Sequence, residues 1–190
     1  MESVPTRSRS RSRRRWTWIA LLAGVPALAI ALALFQPWKL WVNQSVHEAL
    51  PSAAPNDPMS SARAVPSAAA MPTLLASGAL VSHEHATTGT ARVLRLPDGS
   101  QVLRLENLDT SNGPDLHLLL SDAKVTEGRS GWHVFDDGRH LDLGSLKGNK
   151  GSQNYPLPAG TNLADYGSVS VWCDRFNVSF GAATLRPVRA

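Results

Sequence analysis

From about Ser77 onward the chain breaks into short β-type runs, "TARVLRL", "QVLRLEN", "LHLLLS", "SVSVW" and "FNVSF". Turn formers separate them at Pro97-Asp98-Gly99, at Asn112-Gly113-Pro114 and from Gly148 to Gly151. "PDGS" between the first two runs reads as a hairpin loop on a type I turn. In "QVLRLEN", Leu103 and Leu105 fall on one face while Arg104 and Glu106 fall on the other, the alternation of a half-buried antiparallel strand. No segment past residue 76 has a helical period, so the fold class expected is all-β, a small antiparallel β-sandwich or barrel over residues 77–190. A unit of that size buries a core without disulfides.

The sequence ahead of this unit has a different texture. Residues 1–15, "MESVPTRSRSRSRRR", carry six Arg and one Glu. Trp16 to Phe35, "WTWIALLAGVPALAIALALF", contains no charge, and at 1.5 Å rise per residue it matches ~30 Å of hydrocarbon. Trp16 and Trp18 on one side and Trp38 and Trp41 on the other stand where interfacial indoles belong. Pro26 is tolerable in a membrane helix. The Arg excess before the run, against Lys39 after it, orients the N-terminus to the cytoplasm. Residues 16–42 therefore read as a single-pass signal-anchor, with residues 1–15 as a cytoplasmic tail. A cleavable signal peptide is the nearer rival, but its apolar region is typically 7–15 residues and ends at a small-residue site. Here "ALALFQPW" continues without a polar break, and "SRRRW" matches a twin-arginine signal only faintly.

Charge placement also bears on partners. The formal net charge is +4, but residues 76–190 hold 11 basic and 12 acidic side chains. The basic character belongs to the tail; an Arg-Ser run could bind RNA, but the apolar membrane run behind it argues otherwise, and no nucleic-acid partner is expected. Residues 43–76 are built largely from Ala, Pro and Ser. They read as a disordered, semi-stiff linker reaching roughly 100 Å when extended at ~3.1 Å per residue. His47 and Glu48 within it are expected to be solvated and without a role.

Cys173 is the only cysteine. Val169, Val171 and Cys173 share one strand face, and so do Phe176, Val178 and Phe180. The change of parity between the two sets places a bulge or turn at Asp174-Arg175. A free Cys is among the most buried residue types, so core filling stays open. An exported, unpaired thiol also invites a redox or ligand role. No C-x-x-C-H is present, which excludes covalent c-type haem, while a haem held through one thiolate or one His stays open.

His83 and His85 in "HEH" share a face if that segment is extended, a spacing compatible with a metal or with two solvated imidazoles. His117 lies opposite Leu116 and Leu118. Asp136 and Asp137 read as solvated turn residues. No Ser-His-Asp order, nucleophile elbow, phosphate loop or paired-carboxylate motif stands out.

Four stretches, "HATTGTARVL" from His85, "LRLENLDTSNGPDLHLLLS", "LGSLKGNKGSQNYPLP" and "VSVWCDRFNVSFG", resemble the DM-thirteen domain, also called the electron-transfer DM domain. The resemblance covers nearly all of residues 76–190 and implies a β-rich extracytoplasmic module. It places a redox role on Cys173, as a naked thiol or as a holder of a prosthetic group such as haem, with Trp172 beside it. His85 and His117 match positions that are often His in the family. "AKVTEGRSGWHVFDDGRHLD", which contains Trp132, His133 and His140, is longer than the family pattern.

The chain thus reads as a membrane-tethered extracytoplasmic redox or electron-transfer module with a redox partner protein, rather than a stand-alone enzyme. The alternative is a non-catalytic binding or adhesion module on a proline-rich stalk.

Overall fold

The computed structural model describes residues 10–35, 42–51 and 71–188. The expectations for residues 1–9, for Trp38 and Trp41, and for linker residues 52–70 lie outside the described residues. Two compact units divide the chain near Trp38. The first contains one helix, α1 (Ser10–Phe35), with Pro26 inside it. Side chains of α1 are described from residue 22 to 34 only. Among the described residues no helix is long and apolar enough to cross a membrane.

The second unit is mostly β, with two antiparallel-rich sheets arranged as a β-sandwich. One sheet joins β1 (Ser45–His47), β2 (Thr73–Ala79), β4 (Thr88–Arg95), β5 (Gln101–Asp109), β8 (Lys150–Pro156) and β11 (Arg186–Pro187) in the order β1-β8-β5-β4-β2-β11. The other joins β3 (Val81–Ser82), β6 (Leu116–Ser121), β7 (His140–Ser145), β9 (Ser168–Cys173) and β10 (Val178–Thr184) in the order β3-β10-β9-β6-β7. The chain changes sheet at buried Leu80, between β2 and β3, and at buried Leu185, between β10 and β11.

The main core lies between the sheets. Ala91, Val93, Leu103, Leu105 and Tyr155 of the first meet Leu116, Leu118, Val169, Val171, Cys173, Val178 and Phe180 of the second. Full burial of each large aliphatic side chain contributes about 1.5–3 kcal/mol. The expected hairpin is present: β4 and β5 are joined through Pro97–Ser100, with Leu96 N–H donating to Ser100 O at 2.8 Å. Asp98 accepts from both the amide and the hydroxyl of Ser100.

Three local expectations are corrected. Phe176 is not a core residue of a strand but sits in the turn between β9 and β10, 48% exposed. The parity change is absorbed by that turn over residues 174–177, and the register irregularity falls later, between Ser179 and Gly181.

Second, the stretch 43–76 is not free from Asn43 onward. Ser45–His47 pairs in parallel with Lys150–Ser152 of β8, and Lys150 N–H donates to Gln44 O. Glu48, expected to be solvated, pairs with Lys147 Nζ at 2.7 Å and accepts from the Asn154 amide at 2.6 Å. Gly148 and Gly151, which read as turn formers, make this close approach feasible. A Cβ at Gly148 would stand 2.4 Å from Gln44 O, and one at Gly151 2.1 Å from Val46 O. Gly151 also adopts φ 97°, which favours glycine.

Third, Arg104 does not face solvent. It is only 7% exposed, and it donates to the carbonyls of Glu48 and Ala49 and to Asn154 Oδ1.

Candidate functional site

The β9–β10 hairpin organises the site. Cys173 pairs with Val178 on one side and with Leu116 of β6 on the other. The intervening turn closes with Asn177 at φ 51°. Because neighbours along a strand point to opposite faces, Cys173 enters the main core while Trp172 enters a second, smaller cluster on the outer face of the sheet.

Cys173 is completely buried, and burial pushes its thiol up from the ordinary value. Backbone hydrogen bonding from Phe176, Asp115 and Arg175 opposes that rise, while the Asp115 carboxylate adds to it. The result is a protonated, shielded thiol at neutral pH.

The outer cluster joins Trp172, which is 1% exposed, with Leu119, Phe135 and Ala182. Phe135 comes from the long loop over residues 122–139, so the stretch that departs from the family pattern supplies a lid of apolar side chains for Trp172. The rings of Phe135 and Trp172 meet edge-on, with centroids 6.4 Å apart. His83, 8% exposed, joins this cluster from the other side, its ring centroid 5.7 Å from that of Phe135. Its Nδ1 meets Ser179 Oγ at 2.8 Å, and burial lowers its pKa. His83 Nε2 and Trp172 Nε1 have no partner among the described residues.

A cavity of about 410 Å³ opens at the end of the hairpin, lined mainly by apolar atoms. Its walls include Pro114, Trp132, Phe176, Val178 and Phe180, with His85 and His133 among them. The size is that of small-molecule and cofactor sites. His85 stacks on Phe180 with centroids 3.9 Å apart, and its Nε2 lies 2.5 Å from Glu84 Oε2. His133 Nδ1 meets the Asn177 carbonyl at 2.5 Å. A carbonyl oxygen only accepts, so Nδ1 carries the proton and the neutral ring keeps its lone pair on Nε2.

His117 is placed elsewhere. It pairs in register with Trp172, on the face opposite Cys173, and binds Asp142 at 2.8 Å and Asp115 at 3.4 Å. Burial pulls its pKa down, but Asp142, Asp115 and Asp174 outweigh that and raise it.

Of the expected site residues, then, the structure brings His85 to the cavity, places Cys173 next to its wall through Val178, and leaves His117 and Trp172 on the other face. His83 and His85 do not share a face. The segment over residues 83–85 bends, sending one ring to Phe135 and the other to Phe180. Among the described residues no group of three His, Cys, Asp or Glu side chains could hold a metal ion. Sequence reasoning left His133 and Trp132 without a role. The signal was their place after "SG" in the long loop, where the tight turn at Arg129–Gly131 delivers both to the cavity.

The family model described as electron transfer DM13 matches residues 79–185. No curated protein and no solved structure matches the chain. The matched range takes in β3 to β10, both sides of the hairpin carrying Cys173 and the cavity beside it. With more than half of its length matched, the chain belongs to the electron transfer DM13 family.

Proposed function

We propose that this protein is an electron-transfer module tethered to a membrane by its N-terminal segment and working outside the cytoplasm, with Cys173 at its redox centre. The observation that carries the reading is the setting of the sulfur. It is shielded from solvent in the main core, and its strand partner Val178 lines an aromatic cavity. Burial counts against a freely exposed redox thiol, because such a thiol needs access and thiolate character.

The resemblance implies a prosthetic group such as haem, and the donor set at the cavity suits one. Cys173 does not line the cavity, whereas two imidazoles and the aromatic rings of Trp132, Phe176 and Phe180 do. A haem bound there would supply a one-electron carrier. The chain's own contribution is to exclude water with those rings, to hold the imidazoles through Glu84 and Asn177, and to keep the Cys173 sulfur nearby in a desolvated layer.

The tether rests on the uncharged run Trp16–Phe35 behind six Arg, and on exposed Leu22, Val25, Leu28 and Ile30 of α1. Protease added to spheroplasts should remove the β unit. Its full protection would overturn the topology, and release into the medium would favour a cleaved signal.

The redox reading is tested on the full chain purified in detergent, with absorption spectra and a potentiometric titration of the oxidised and reduced forms. Expected is a reversible redox change that Cys173→Ser shifts or removes. A colourless protein with no redox change would leave the binding or adhesion module standing instead.

A further inference from the structure

We infer that the end of the sandwich bearing the β9–β10 turn is a membrane-docking surface, held at the lipid headgroups through Val42 and seated among them by Phe176. This rests on the tethered reading and adds which surface of the β unit the bilayer meets.

The strap sets the geometry. Ahead of β1, Asn149 Nδ2 donates to Asn43 Oδ1 at 2.8 Å, and Gln44 N–H donates to Asn149 Oδ1 at 2.7 Å. Asn112 Nδ2 donates to the Val42 carbonyl at 3.0 Å, and Asn112 is itself a wall of the cavity. The chain therefore joins the β unit at the rim of that cavity. Only six residues, 36–41, separate the uncharged run Trp16–Phe35 from Val42. Seven Cα–Cα steps reach at most about 25 Å, against the roughly 100 Å that a free linker over residues 43–76 would add. A tether this short keeps the rim at a high effective concentration of lipid, so a weak intrinsic affinity suffices.

Exposure alone does not choose the surface, since Leu50, Met71 and Val188 are exposed as well as Val42 and Phe176. The tether chooses it. Phe176 stands in the β9–β10 turn, with Pro114 and Trp132 beside it on the cavity wall. Acidic Glu84, Asp115 and Asp174 occur there together with Arg129 and Arg175. With no excess of positive charge the contact is apolar and aromatic, and a zwitterionic bilayer is sufficient partner.

The test reconstitutes the full chain in phosphatidylcholine vesicles with a nitroxide on Arg175→Cys, in the turn next to Phe176, or on Ala159→Cys. Pro156 pairs with Val102, at the opposite end of β5 from Asp109, so Ala159 lies at the far end of the sandwich. The unsubstituted chain, whose Cys173 is buried, is the labelling blank. Collisions with oxygen, which concentrates in the bilayer, and with a water-soluble nickel chelate read the depth of each label. The oxygen-to-nickel ratio should be several-fold higher at 175 than at 159, and Phe176→Ser should abolish the difference. Vesicle flotation checks insertion, and far-UV circular dichroism checks that each variant is folded.

Equal ratios at the two positions in a chain that floats with the vesicles would overturn the docking surface and leave the tether intact. A label at 175 shielded from both reagents would show a second copy or another protein on that surface and would overturn it too. An undiminished difference in Phe176→Ser would overturn the seating through Phe176. A chain that does not float would overturn the tether and this inference together, and the redox reading of Cys173 would stand.

Discussion

Trp172 and Cys173 are consecutive in β9 yet belong to different apolar clusters, the indole under Phe135 of the long loop and the sulfur between the two sheets. One peptide unit thus links the outer cluster to the main core, and substitutions at the two positions separate cleanly.

The Cys173 thiol should stay unreactive towards a thiol reagent in the native protein and react fully once unfolded. Burial both blocks access and holds the thiol protonated. Cys173→Ser should destabilise by about 1–3 kcal/mol, because a hydroxyl replaces the thiol in an apolar setting. Thiol titration with and without denaturant and a denaturant melt check both. Rapid labelling of the native form would contradict the closed setting.

Phe135→Ala should cost about 3–5 kcal/mol if the long loop packs as a true core element. It should also open residues 122–139 to proteolysis, since Phe135 packs that loop onto Trp172, Leu119 and Ala182. Limited proteolysis with mapping of the first cuts reads the effect. Cutting elsewhere first would show that the loop is held by other contacts.

The strap formed by β1 should contribute to stability although it precedes the family-matched residues. Arg104→Ala should cost about 2–4 kcal/mol, through lost charged hydrogen bonds to Glu48 O, Ala49 O and Asn154. Glu48→Ala should cost less, at most about 1 kcal/mol, because the Glu48 and Lys147 side chains are partly exposed. Burial raises the Glu48 carboxyl, but Lys147 and Asn154 outweigh it and hold the pKa below 4.5. That contribution is complete above about 4.5 and fades as pH falls through the lowered value. Thermal melts of fragments starting at residue 42 and at residue 71 give the total effect of the strap.

His117 and His83 should pull the pH dependence of stability in opposite directions. His117 has a raised pKa, so its contribution is complete below 6.5 and is lost as pH rises through the higher folded value. His83 has a lowered pKa, so its contribution is complete above 6.5 and is lost as pH falls towards the folded value. Asp142→Asn should bring the His117 titration down, and His83→Gln should flatten the acid-side loss. NMR titration of the ring protons, with melts between pH 5 and 8, measures both.

Much of the fold was legible because β periodicity is local. Leu103 and Leu105 alternate with Arg104 and Glu106, and "PDGS" has the chemistry of its turn, so the β4–β5 hairpin needs no distant contact to be read. The placement of Arg104 was not legible. Its burial depends on Glu48 and Ala49, more than fifty residues earlier, and on two glycines whose missing Cβ atoms admit the strap. Phe176 misled for a related reason: a hairpin turn can carry an aromatic residue, and strand parity alone cannot tell turn from bulge.

The candidate site divides along the same line. By itself the sequence determined the β class, the family, the single thiol and the opposite facing of Trp172 and Cys173, because strand alternation and motif order are properties of neighbouring residues. Only the tertiary structure decided that His85 and His133, 48 positions apart, line one cavity, that His117 lies on the other face, and that the thiol is sealed. Those outcomes depend on which strands pair and on where the long loop packs, and both are set by burial between segments distant in the chain.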